Sequence, residues 1–295
     1  MKPMPARRPA VTVACFGEIL WDCLPRGMFL GGAPLNAAYH LQQHGVRVRP
    51  ISAVGRDFLG QEALLRLRGW GADTRFVAVR DDRPTGVVRA TIDAAGKPHY
   101  LIFRSVAWDR IPVPPLLLRQ PAPTAVVFGT LALREPGNRT ALASLFAGWP
   151  DAWRVLDLNL RTPFDRRSAI EFALRRAQVV KLNDEELARL TDRPVGTRRG
   201  LERAVRGFAG DRQVARICVT AGSRGAGLLW EGEFFWEAGR KVQVRDTVGS
   251  GDAFLGALLA SLLGRRLSPA RALVRACRMG EWVATQDGPT PPYPR

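Results

Sequence analysis

The sequence predicts an α/β fold of three layers, with helices on both faces of a mostly parallel central sheet and a small β-sheet projecting from it. Three observations predict this. Short apolar runs of strand length alternate with longer stretches of helical period, the order of parallel strands joined by helical crossovers. Several strand runs are apolar throughout, as strands covered on both faces must be. One segment breaks the alternation with two strand-like runs around a glycine-containing turn, a hairpin signal inside an α/β pattern.

Val11–Phe16 reads as the first strand, Ala37–His44 as a helix and Val46–Val54 as the next strand. Phe58–Trp70 has helical period, and Asp57 before it suits an N-cap because its carboxylate can accept an orphan first-turn amide. Thr85–Ile92 and Tyr100–Arg104 flank Ala95-Gly96-Lys97 and form the hairpin of the projecting sheet. Pro112–Pro115 and Pro121–Pro123 read as surface connections leading out of it. Val126–Phe128, Val155–Leu158, Val179–Leu182 and Ile217–Thr220 are buried strands. Gly227–Trp230 with Phe234–Trp236 suggests a second hairpin, and helices over Asp252–Leu263 and Ser268–Thr285 close the chain.

Length and composition narrow the classes. The 295 residues allow one large α/β domain or two smaller ones, and 46% hydrophobic content is ample for a core. No apolar run reaches membrane-spanning length, and Met1–Ala10, basic and proline-containing, reads as a disordered leader rather than a signal peptide. Cys15, Cys23, Cys218 and Cys277 lie in apolar surroundings without C-x-x-C spacing, which fits free thiols in a reducing cytoplasm. The formal charge of +17 comes almost wholly from arginine, with lysine only at 2, 97, 181 and 241. It is spread along the chain and lacks the patch that nucleic-acid tracking requires, which argues against a nucleic-acid partner.

The segment Asp246-Thr-Val-Gly-Ser-Gly-Asp-Ala-Phe254 carries the most chemistry. A glycine-rich turn opens straight into an apolar helical run. There the amides of Gly249, Ser250, Gly251 and Asp252 can point at one anion at a helix N-terminus. A carboxylate at that spot suits a base that takes a proton from a hydroxyl attacking a phosphoryl group. At the other end, Gly31-Gly-Ala-Pro-Leu-Asn36 combines a diglycine permitting close backbone approach with an amide suited to sugar hydroxyls or, alternatively, to a helix N-cap. Asp22, just past the first strand, stands where open α/β sheets bind ligands.

These two segments resemble the signatures of the ribokinase-like (PfkB) carbohydrate kinases, and the resemblance spans the chain. The strings FGEILWD (16–22), GGAPLN (31–36), VAWDRI (106–111), FGTLALRE (128–135) and DLNLR (157–161) are similar to the fructokinase branch. The resemblance implies a single ribokinase-like α/β domain over residues 11–295, whose lid segments lie at about 18–31 and 85–107. It implies ATP-dependent phosphorylation of a small sugar, fructose first, with Asp252 as general base and Gly249–Asp252 as anion hole. Asp22, Gly31, Gly32 and Asn36 would hold the sugar. Asn183 and Glu186, in Lys181-Leu-Asn-Asp-Glu-Glu186, match its N-x-x-E motif and would hold Mg²⁺ through water. The same pair also spells a capping box. Thr220, Gly222 and Gly225 would lie beside the nucleotide. The family also suggests a monovalent cation such as K⁺ near Asp246 and the Ala284–Gly288 turn, and a homodimer through the lid. Asp287-Gly-Pro-Thr290 departs from the family's usual form there.

Arg161, at a strand's carboxyl end, could steady phosphoryl oxygens. With Arg104 it could instead grip a sugar-acid carboxylate, so 2-keto-3-deoxygluconate, a pentose or adenosine stand as alternative substrates. A silent sugar-binding regulator is the alternative outside enzymes. No P-loop, protein-kinase motif or dinucleotide fingerprint is present, and His40, His44 and His99 form no ligand cluster.

Overall fold

The computed structural model describes residues 11–24, 27–92 and 98–294, without the side chains of 90–92 and 98–100. In chain order its elements are β1 (Thr12–Phe16), β2 (Leu20–Leu24), β3 (Gly27–Gly31), α1 (Ala33–Gln43), β4 (Arg47–Gly55), α2 (Phe58–Gly69), β5 (Val77–Arg80), β6 (Gly86–Ile92) and β7 (Pro98–Ile102). There follow α3 (Pro115–Leu118), β8 (Ala125–Gly129), α4 (Pro136–Gly148), β9 (Trp153–Asp157), α5 (Arg167–Leu174), β10 (Val179–Asn183), α6 (Asp184–Thr191), α7 (Arg198–Arg212) and β11 (Arg216–Thr220). The chain closes with β12 (Gly225–Trp230), β13 (Glu233–Ala238), α8 (Ser250–Leu259) and α9 (Pro269–Ala284).

The large sheet runs β13-β12-β11-β10-β9-β8-β1-β4-β5, parallel from β11 to β5, with β12 and β13 antiparallel at one edge. Alternation along its strands builds the three layers. Phe16, Phe128, Leu156, Leu182 and Val219 point to the face covered by Leu145 of α4, Ala173 of α5 and Val205 of α7. Val13, Val127, Val155 and Val179 point to the opposite face, against Leu41 of α1 and Leu255 and Leu259 of α8. Cys218 and Leu228 extend that face under Leu273 and Ala276 of α9. Full burial of each such side chain favours folding by about 1.5–3 kcal/mol, so this double-sided pattern dominates the choice of fold.

The projecting sheet has the order β3-β2-β6-β7, with β2 and β6 parallel and the two outer pairs antiparallel. Its root, Trp21 and Leu30, packs on Val54 and on Ala63 and Leu67 of α2. Asp57 caps α2 as expected, accepting the Gly60 amide at 2.8 Å, and it also accepts the amide and hydroxyl of Thr85 at 2.7 and 2.6 Å. Two strings set aside for their family likeness meet in the core below this sheet: Asp109 and Arg134 form a buried pair at 2.8 Å, with the guanidinium 4.1 Å from the centre of the Trp108 ring.

Several expectations change. The helix predicted over Ala37–His44 starts at Ala33, with Pro34 in its first turn, so Asn36 lies inside the helix and Gly32 is the N-cap. The strand predicted over Tyr100–Arg104 ends at Ile102, which puts Arg104 beyond it. Asp22, read as just past the first strand, lies within β2 of the projecting sheet. The Asp252–Leu263 helix begins at Ser250 and passes at Ala260–Gly264 into a wider π-type turn. The leader Met1–Ala10 and the turn Ala95-Gly96-Lys97 fall outside the described residues.

Candidate active site

Because β1, β4, β8, β9, β10 and β11 run parallel, their carboxyl ends share one edge, where Asp157, Asn183 and Thr220 lie on adjoining strands. α8 opens above that edge. Gly249, at φ +79°, is its N-cap, and a Cβ there would fall 2.5 Å from the Cα of Pro289, so only glycine fits. The Ser250 amide is already bonded to the Thr247 carbonyl at 3.2 Å, which narrows the expected anion hole. The amides of Gly251 and Asp252 lie in the first turn of α8, where a helix leaves its N–H groups without intrahelical partners.

Asp252 is buried. Its Oδ2 accepts the side-chain amide of Asn36 at 2.8 Å, tying α8 to α1. Asn36 Oδ1 is buried and has no partner, leaving an acceptor free for a ligand hydroxyl. Burial pushes the Asp252 carboxyl up to about 7, the like charge of Asp157 adding to the rise while Lys181, Asn36 and Arg161 oppose it. Lys181 donates to both oxygens of Asp157 at 2.9 and 3.1 Å, and a Cβ on Gly251 would lie only 2.8 Å from its ammonium. The absent side chain at Gly251 therefore lets a buried cation reach the head of α8.

A second group of carboxylates lies around the diglycine. A Cβ on Gly31 would fall 2.3 Å from Asp22 Oδ2, and one on Gly32 would fall 2.2 Å from the carbonyl oxygen of Glu18. The diglycine thus admits the protein's own Asp22 and Glu18 at close range, where a direct approach to a ligand was the expectation. Burial pushes Asp22 up to about 7, with Glu18 and Asp246 adding to the rise and Arg161 opposing it. Burial likewise raises Glu18, whose Oε1 accepts the Ala33 amide at 3.3 Å and whose Oε2 is buried without a partner. Arg161 is exposed and draws down Glu18, Asp22 and Asp252 alike, so it serves all three carboxyls. Its carbonyl accepts the Phe164 amide at 2.6 Å, and the Arg104 guanidinium stands 5.8 Å from the centre of the Phe164 ring.

Beside α8 opens a cavity of about 330 Å³. Thr220, Gly222 and Gly225 line it at the strand edge, Ser250 and Gly251 line it at the helix head, and Phe254, Cys277, Gly280 and Ala284 form an apolar end. Gly222 and Gly225, at φ +55° and +115°, make the turn into β12 that leaves room for it. Asn183 and Glu186 stand one strand over and do not line it. They form the capping box: Asn183 Oδ1 accepts the Glu186 amide at 2.7 Å, and Glu186 returns Oε2 to the Asn183 amide at 2.9 Å and Oε1 to Leu160 at 2.7 Å. Each Glu186 oxygen keeps a further lone pair, enough for a metal-bound water. Among the described residues no three of His, Cys, Asp and Glu gather to ligate a bare metal ion. The donor set therefore fits Mg²⁺ carried on a triphosphate through its waters.

The Ala284–Gly288 turn is the place suggested for a monovalent cation. Arg245 pairs with Asp287 there at 2.8 Å, and the Ala284 carbonyl accepts the amides of Arg245 and Asp246 at 2.8 and 3.3 Å.

Sequence reasoning missed Asp157, Lys181 and Glu18. Lysine itself was a signal, because a chain that otherwise uses arginine places one of its few lysines inside an apolar strand.

A glycine-built turn at the head of α8, a buried carboxylate beside it and the adjoining cavity suit a phosphotransferase of the ribokinase-like α/β class. The profile of the pfkB family carbohydrate kinases matches residues 16–295, and the chain belongs to that family; it is a sugar kinase. A fructokinase of Klebsiella pneumoniae is 28% identical over 294 residues, 92% of each chain. The crystal structure of fructokinase from Vibrio cholerae O395 with fructose, ADP and calcium bound superimposes with a TM-score of 0.79 at 23% identity, covering 95% of this chain and 94% of that one. A candidate ribokinase II from E. coli in complex with ATP and Mg²⁺ gives 0.81 at 23% identity, covering 96% and 95%.

Proposed function

We propose that this kinase transfers the γ-phosphoryl group of ATP to a hydroxyl of a small sugar, fructose first, with Asp252 as the general base. One observation carries the reading: a buried carboxyl, Asp252, held by the Asn36 amide at 2.8 Å, stands at the head of α8 beside the 330 Å³ cavity, and burial pushes it up to about 7. ATP fits the cavity, its adenine toward Cys277, Gly280 and Ala284 and its phosphates toward Gly251. The sugar lies by Asp22 and Asn36, whose carboxylate and Oδ1 accept hydrogen bonds from its hydroxyls. Asn36 aims the Asp252 carboxylate, which takes the proton of the attacking hydroxyl. The amides of Gly251 and Asp252, with Arg161, steady charge on the transferred group. Mg²⁺, held through water by Asn183 and Glu186, screens the triphosphate charge when bound.

Fructose is favoured by the strings shared with fructokinases and by the fructokinase relatives. Arg104 and Arg161, two cations that could grip a carboxylate, leave a sugar acid as the second reading. No described helix is long and apolar enough to cross a membrane, and we read the enzyme as cytoplasmic. Exposed Met28, Leu101 and Phe103 on the projecting sheet suit a homodimer there. The test is ADP release with Mg²⁺ across fructose, 2-keto-3-deoxygluconate, ribose, glucose and adenosine, with Asp252→Ala as control. Turnover with fructose that Asp252→Ala abolishes is the expected result. A response only to the sugar acid moves the substrate, and an active Asp252→Ala sinks the base.

A further inference from the structure

His40 has no part in that reading, yet it is fully buried and fully engaged. Helices α1 and α8 meet in register. Asn36 bonds Asp252, and one turn on in both helices His40 meets Gly256, where a Cβ on the glycine would lie 2.7 Å from that of His40. His40 Nε2 is 2.9 Å from the Pro289 carbonyl oxygen, and Nδ1 is 3.0 Å from the Tyr293 hydroxyl. A carbonyl only accepts, so Nε2 carries the proton. Burial holds the ring pKa down to about 4, so the imidazole is neutral and Nδ1 accepts from Tyr293. The Met279 sulfur, 3.2 Å from the same hydroxyl, is the weaker acceptor. Tyr39 adds a bond to the Pro291 carbonyl at 2.7 Å. Three side chains thereby tie down the segment from Pro289 to Tyr293. That segment matters to the chemistry because the backbone of Pro289 abuts Gly249: a Cβ there would fall 2.5 Å from Pro289 Cα and 2.9 Å from its oxygen.

We infer that His40 is a positioning residue for phosphoryl transfer: through the Pro289 carbonyl it fixes the C-terminal segment against Gly249 and so sets the head of α8. Tyr293 supports it by holding the tautomer that donates from Nε2. The inference rests on the role proposed above for Gly249–Asp252.

The test is steady-state kinetics on the full chain with ATP and the sugar that responds best in the panel, with a thermal midpoint for each variant. His40→Leu removes the donor, His40→Gln offers an amide N–H close to the place of Nε2, and Tyr293→Phe leaves Nδ1 without its donor. His40→Leu is expected to lower kcat about tenfold with the sugar KM within about twofold, and His40→Gln to restore kcat to within about threefold of wild type. Tyr293→Phe is expected to lower kcat about threefold. An unchanged kcat in His40→Leu, equal losses in the leucine and glutamine variants, or losses that merely track the thermal midpoint overturn the inference. If the leucine variant does not fold, wild-type kcat in both His40→Gln and Tyr293→Phe overturns it only where Pro289→Gly, which loosens the same segment, also leaves kcat unchanged; a lowered kcat in Pro289→Gly at an unchanged sugar KM supports it. An active Asp252→Ala in the same assay would fault the reading of the site instead, which keeps the two failures apart.

Discussion

Replacing Asp157 by asparagine probes how Asp252, the proposed base, is tuned. Asp157 is buried and holds Lys181 through two bonds, at 2.9 and 3.1 Å. Burial is the largest cause that lifts Asp252 to about 7, and the Asp157 charge is the next that acts in the same direction. Asparagine removes that charge and keeps an acceptor for the ammonium. Lys181 then answers to Asp252 and Glu186. Loss of one like charge at a buried carboxyl lowers its pKa by about one unit, roughly 1.4 kcal/mol. A base works only when ionised, so kcat/KM falls as pH drops through the Asp252 pKa. At a pH of about 6 roughly a tenth of wild-type Asp252 is ionised, and after the shift about half is. Activity there, relative to each enzyme's own plateau, should rise about fivefold.

The assay is a pH profile of kcat/KM for the sugar. Stability should fall by about 1–3 kcal/mol, below the about 3–5 kcal/mol typical of a broken buried pair, because Asp252 remains as counter-charge. An acid limb that stays in place, or moves to higher pH, refutes the argument that Asp157 sets the titration of Asp252.

Asp252→Asn should cost about a hundred- to ten-thousand-fold in kcat/KM, read by ADP release. It should also flatten stability against pH. The folded pKa lies above the ordinary 3.8, so the carboxyl's contribution is complete below that value and lost as pH rises through about 7. The thermal midpoint of the variant should therefore fall less than that of wild type between pH of about 5 and about 8. Gly31→Ala sets a methyl 2.3 Å from Asp22 Oδ2 and should raise the sugar KM about tenfold while leaving that for ATP alone, as initial-rate kinetics will show. Ala284→Phe should do the reverse by filling the apolar end of the cavity.

What the sequence made legible was whatever lies close along the chain. The strands and their order of helices showed because apolar periodicity is local, and Gly249–Asp252 showed because a turn, a helix head and a carboxylate fall within a few residues. Asn36 was legible as a site residue but not in its job, since its partner lies in α8, more than two hundred residues on. Pro34 was an available sign that α1 starts before Ala37, because proline is favoured in a helix's first turn. β2 and β3 showed only through the family resemblance, which put a lid segment at about 18–31, because short strands of a solvated sheet carry weak patterns of their own; Asp157 and Lys181 hid because each is an ordinary strand residue until β9 and β10 pair. The closeness of Gly31 to Asp22 follows from pairing β2 with β3, which no spacing rule announces.

The opposing influences on Asp252 explain why its neighbours are arranged as they are. Left in an apolar site, a carboxyl stays protonated and cannot act as a base; left in water, it stays ionised near pH of about 4 and is too weak a base at neutrality. Here burial and Asp157 push one way, and Lys181, Asn36 and Arg161 push the other, with the outcome near 7. Lys181 is central to that balance because it touches Asp157 directly and reaches Asp252 only through the gap at Gly251. A side chain at Gly251 would therefore do more than crowd the phosphate: it would push the ammonium away, leave two buried carboxyls facing each other, and raise the pKa of the base. Gly251→Ala should accordingly move the acid limb of kcat/KM to higher pH, the opposite direction from Asp157→Asn. A limb that stayed put in Gly251→Ala while the plateau fell would show that the glycine serves the anion hole alone.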